Sequence, residues 1–126
     1  MPAATRTATD FGAVFAALKE VLARYADRLY VHTDQPDEYC LVTLSKSWRG
    51  GRMYFGAVRT GKSYVSYHLF PVYACPQVAR AISTGLKRRM HGKSCFNFTA
   101  VDPVLFGEVA RITEEGFRAY EAQGWL

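Results

Sequence analysis

The sequence predicts an α+β domain: a single antiparallel β-sheet of about five strands, with N- and C-terminal helices packed on one face and a short helix in the crossover before the last strand. Three patterns carry that expectation. Apolar residues recur at helical intervals at both ends of the chain. Between them, four runs rich in aromatic and branched residues follow one another, separated by short turn-forming segments. A fifth such run comes after a stretch punctuated by prolines. With 126 residues, 49% of them hydrophobic, the chain can bury a core without disulfides, and we expect one domain over residues 10–126 behind a flexible N-terminus at 1–9.

Asp10 is a natural N-cap, and Phe11, Val14, Phe15, Leu18, Val21, Leu22 and Tyr25 then recur at three- and four-residue steps, so a helix is expected to about Ala26. The period changes to that of strands at 29–33 (LYVHT), 38–44 (EYCLVTL), 52–59 (RMYFGAVR) and 63–70 (SYVSYHLF), with DQPD, SKSWRGG and RTGK as the turns of a meander. Pro71 and Pro76 interrupt the crossover, where PQVARAIS (76–83) reads as a short helix with proline in its first turn. SCFNF (94–98) is the fifth strand. The closing helix starts at the N-cap Asp102 with Pro103 behind it, carries Leu105, Val109, Ile112 and Phe117 on one stripe, and is weakened but not ended by Gly116.

GAVRTGKS, residues 56–63, fits the phosphate-binding loop pattern G-x-x-x-x-G-K-[ST] letter for letter. Such a loop works because it leads straight into a helix whose free amides face the phosphates. Here GKS leads into YVSYHLF, whose tyrosines, valine and phenylalanine alternate with serine and histidine as in a strand. The stretch is therefore expected to be a hairpin with Thr60, Gly61 and Lys62 at its tip. That register sets Ala57, Phe55 and Met53 opposite Val65, Tyr67 and Leu69 on an apolar face. On the other face it sets Val58, Gly56 and Tyr54 opposite Tyr64, Ser66 and His68. Gly56 facing Ser66 would leave a dent for a helix or a ligand.

Net charge is +5, and eleven of the sixteen basic residues are arginine, which suits an anionic partner. LKRRMHGK gathers Lys87, Arg88, Arg89, His91 and Lys93 in seven residues. Three widely spaced cysteines give no disulfide framework and no four-cysteine zinc site, and fit a reducing cytoplasm. No apolar run is long enough to span a bilayer, and no signal-type segment opens the chain. His32, His68 and His91 are scattered, and no nucleophile or metal signature is present, so no catalytic residue, metal or cofactor is expected. Arg52 and Arg59 beside Tyr54 and Tyr64 loosely fit an RNA-binding sheet, although the R-G-F-G-F-V-x-F type of strand is missing.

MYFGAVRTGKSYVSYHLFP is similar to the aromatic hairpin of the YdhG-like family of small bacterial domains of unknown function. LKRRMHGKSCFNF resembles that family's glycine-lysine turn and following strand, and the helix after VDPVLF its closing helix. The resemblance spans roughly residues 10 to 120 and implies a curved antiparallel sheet backed by the two terminal helices. Some members are described as frataxin-like intracellular iron chaperones, so the resemblance implies iron delivery as an alternative function. Frataxin-type proteins hold iron on an acidic ridge, whereas eleven acidic residues here are outnumbered by sixteen basic ones.

The expected function is non-catalytic binding in the cytoplasm, with an anionic small molecule or an acidic protein segment as partner. Iron delivery is the alternative, nucleic-acid binding a second alternative, and no membrane partner is expected. The expected ligand-binding surface joins Tyr54, Gly56, Tyr64, Ser66 and His68 of the sheet to Arg88, Arg89 and Lys93 of the basic turn.

Overall fold

The computed structural model describes residues 10–46 and 49–126, so the flexible segment expected at 1–9 lies outside the described residues. Helix α1 (Phe11–Ala23) is followed by strands β1 (Tyr30–Gln35), β2 (Glu38–Val42), β3 (Tyr54–Thr60) and β4 (Val65–Leu69). Three short helices, α2 (Pro71–Ala74), α3 (Pro76–Arg80) and α4 (Thr84–Lys87), make the crossover to β5 (Cys95–Phe98), where the sequence suggested one. Helix α5 (Pro103–Gln123) closes the chain. All neighbouring strands pair antiparallel in the order β1-β2-β3-β4-β5.

The caps read from sequence are in place: Asp10 accepts from the Ala13 amide at 3.1 Å and Asp102 from the Leu105 amide at 3.1 Å. Gly124, with φ of 75°, ends α5 in the left-handed conformation that glycine adopts without strain. Both terminal helices lie on one face of the sheet, over a core of Leu18, Leu22, Phe55, Tyr67, Leu69, Phe96, Ile112 and Tyr120. Three hydroxyls in this layer are satisfied. Thr113 donates to the Val109 carbonyl at 2.7 Å, which leaves the Tyr67 hydroxyl to donate to Thr113 at 2.6 Å. Tyr120 donates to the Tyr54 carbonyl at 2.6 Å and so ties the long helix to the start of β3.

The GKS turn is a hairpin tip, as expected, but its register differs. The tip takes four residues, 61–64, with the Gly61 amide donating to the Tyr64 carbonyl at 2.8 Å, and Thr60 pairs with Val65. Val58 therefore faces Tyr67, and Gly56 faces Leu69 instead of Ser66. A second irregularity compensates: the β2–β3 register shifts between Leu41 and Val42, so Phe55 is an extra residue on β3. Met53 and Phe55 lie inside before this bulge, Gly56 and Val58 inside after it. Ala57, expected on the helix face, is turned to the other side.

Gly116 has a packing role. A Cβ there would sit 2.7 and 2.8 Å from ring carbons of Pro71, a rigid group that cannot swing away. Gly116→Ala would gain about 1 kcal/mol of helix propensity and meet an overpacking cost of about 1–3 kcal/mol. We expect a net loss of stability in chemical denaturation; a gain would mean that Pro71 and α5 separate freely.

Candidate functional site

The face of the sheet away from α1 and α5 is ordered by strand pairing into cross-strand rows. One row runs Thr33, Cys40, Ala57, His68 and Cys95, and the next Gln35, Glu38, Arg59, Ser66 and Asn97. On the other side of the first row stand Tyr30, Val42 and Tyr54. Ala57, with only a methyl group, leaves a gap among these larger neighbours. A hollow of about 160 Å³ lies there, lined by Glu38, Tyr54, Ala57, Arg59, His68, Phe70 and Ser94 together with the backbone of Phe55 and Gly56. The dent expected at Gly56 is one residue along, because Gly56 points its missing side chain at Leu22 of α1.

Among the described residues, no hydrogen bond or ion pair holds the Arg59 guanidinium, although Glu38 is its cross-strand neighbour. Burial, and then the charge of Arg59, lower the His68 pKa below its ordinary 6.5, so this imidazole is neutral at physiological pH. The Tyr54 hydroxyl lies against the Cys40 thiol. Burial pushes that thiol up to about 11, and burial also raises Cys75 and Cys95, so none of the three is a ready nucleophile.

The expected site residues divide into groups. Tyr54, Gly56 and His68 line the hollow. Ser66 is in the neighbouring row and donates to Asn97 at 3.0 Å. Tyr64 is at the hairpin tip, at the opposite end of β3 from Tyr54. Arg88 and Arg89 line a separate hollow with Gly85, Asp102, Val104 and Leu105, between α4 and the start of α5. The basic turn does reach the right end of the sheet, since the Ser94 carbonyl accepts from the Leu69 amide at 2.9 Å, and Lys93 holds its ammonium 5.6 Å from the centre of the Tyr73 ring.

Residues that the sequence did not single out for the ligand-binding surface are Glu38, Ala57, Arg59, Phe70 and Ser94, with Arg59 named only in the loose RNA-binding pattern. The alternation of EYC and FGAVR contained Glu38 and Ala57 as outward positions, but only in the bulged phase. Three of the four acidic groups of α5 are engaged within the fold. Glu108 accepts from the Ser83 amide and hydroxyl, Glu115 from Arg111 at 2.6 Å, and Glu114 from the Tyr25 hydroxyl at 2.6 Å. Among the described residues, no three or more His, Cys, Asp or Glu side chains gather where a metal ion would fit. No helix among the described residues is long and apolar enough to cross a membrane.

Comparison with protein-family models, with curated proteins and with solved structures finds no match to this chain. The chemistry of the face therefore has to come from its own side chains.

Proposed function

We propose that this is a non-catalytic binding protein of the cytoplasm that holds an anionic group on the uncovered face of its sheet. The observation that carries the reading is the hollow over Ala57, where an unpaired guanidinium and an imidazole stand beside the rings of Tyr54 and Phe70. Arginine's planar fork fits a carboxylate or phosphate, and the rings accept a flat apolar body attached to it. Glu38 sets an orientation, because it repels an anion from the β2 side and leaves the approach between Arg59 and His68. The aromatic hairpin that resembles the YdhG-like family supplies Tyr54, Ala57, Arg59 and His68, so the family likeness and the site fall on one element.

The test is an amide NMR titration with benzoate and with inorganic phosphate. Shifts should centre on Ala57, Arg59 and His68, and Arg59→Gln should remove them. The pH dependence has a definite sign. An anion beside His68 offsets the charge of Arg59, one of the two influences that lower its pKa, so binding raises that pKa, takes up a proton and tightens as pH falls below neutrality. In the unliganded protein the same depressed pKa works against the fold: the unfolded chain takes up the proton first, so stability falls as pH drops below the ordinary 6.5 and levels off below the lower folded pKa. Shifts confined to Arg88 and Arg89, or none at millimolar ligand, would overturn the assignment.

A further inference from the structure

The hollow over Ala57 is one end of a longer surface. Tyr30 and Tyr54 flank Val42 on the uncovered face and are 44% and 55% exposed, two strand spacings apart, or about 9.5 Å. The Arg52 guanidinium lies 4.2 Å from the centre of the Tyr30 ring. Its Nε is buried with no hydrogen-bond partner. The stacked ring holds the guanidinium in place, and because Arg52 also lines the neighbouring hollow its outer nitrogens can meet an acceptor brought from outside. Beside it is a hollow of about 550 Å³, lined by Tyr30, His32, Lys46, Arg52 and Tyr54 together with Val42, Gly50 and Gly51, and by no carboxylate among the described residues. Tyr54 borders both hollows, so they lie on either side of its ring along one path across the sheet. Along it stand His32, Lys46, Arg52, Arg59 and His68, against the single carboxylate of Glu38.

We propose that this path binds single-stranded nucleic acid, with bases against Tyr30 and Tyr54 and phosphates on Arg52, Lys46 and Arg59. The inference rests on the anion-binding reading above and names its partner. An acidic peptide would satisfy the cations but leave two exposed rings with nothing flat to stack on. A duplex would keep its bases on one another and away from the rings. A splayed strand offers both a π-face for each ring and a charge for each cation. Two rings with a cationic cluster at each end of the path need more than one nucleotide.

The experiment is fluorescence anisotropy of the full chain with a labelled oligo(U) strand over a range of salt. Tyr54→Ala should weaken binding about tenfold, the loss of one stacked base, while Tyr54→Phe keeps the ring and stays close to the parent. Arg52→Gln should lower the slope of log affinity against log salt by about one. Tyr54 is exposed and its link to Tyr120 is through its carbonyl, so both variants should melt like the parent. Equal binding of duplex or heparin, with no effect of Tyr54→Ala, would mean a bare cationic surface and overturn the proposal. If oligo(U) fails while benzoate still shifts Ala57 and His68, the nucleic-acid assignment falls and the anion site stands; if both fail, both fall.

Discussion

Phe55→Ala should cost about 3–5 kcal/mol, the usual range for emptying a fully buried aromatic site. Phe55 is 0% exposed, and its ring packs 5.9, 6.0 and 5.5 Å from those of Tyr25, Phe117 and Tyr120, which belong to the end of the first helical segment and to α5. It is thus the point where both terminal helices meet the sheet. As the extra residue of the β3 bulge it also fixes which β3 side chains lie inside. The measurement is the midpoint of urea unfolding with the slope checked against the parent. A loss below about 1 kcal/mol would show that the cluster closes over the cavity, and that the bulge is held by its backbone alone.

The second large effect is expected at Gly56. A Cβ there would lie 2.7 Å from a terminal methyl of Leu22 and 3.2 Å from the His68 carbonyl oxygen. An alanine asks Leu22 to rotate in a closed core. A valine adds two methyl groups toward α1 as well. Gly56→Val improves strand propensity by up to about 1 kcal/mol, but overpacking of about 1–3 kcal/mol should outweigh it, so the variant loses stability. Since Gly56 faces the helix and only its backbone borders the hollow, anion shifts at Ala57 should survive in the folded fraction. A variant as stable as the parent would mean that α1 can lift away from β3 without penalty.

The terminal helices, the meander and the position of the fifth strand were legible because each rests on a local pattern: a 3.6-residue stripe, a change to alternation, a cap or a proline. The β3–β4 register was not, and the two causes can be named. A hairpin tip of four residues instead of three reverses which β3 residues share a face with Tyr67. The bulge at Phe55 reverses it again. For Met53, Tyr54 and Phe55 the two reversals cancel, so Tyr54 and His68 do share the uncovered face as alternation predicts. For Gly56, Ala57 and Val58 only the first applies, so the dent moved from Gly56 to Ala57. Nothing in the letters F-G-A marks a bulge, apart from the phase of buried neighbours on another strand. The basic segment shows a different limit: composition grouped Arg88, Arg89 and Lys93, but α4 ends just before the group and sends the two arginines to another hollow from the one that Ser94 borders. Tyr30 and Arg52 are 22 positions apart, and only pairing through β2 brings them together.

Strand order equal to chain order bears on how the molecule comes together. From β1 to β4 every pairing joins strands linked directly by a turn or loop, so most of the sheet can zip up through short closures that cost little chain entropy. β5 joins across the longer crossover, and the most distant closure is different in kind. Tyr25 and Phe117 come into ring contact at 5.0 Å across most of the sequence, and they do so on Phe55. The barrier is therefore expected to lie in docking the two chain ends on a sheet already formed. Residues of the helix–helix seam would then govern how fast the protein unfolds, and those of the hairpins how fast it starts to fold.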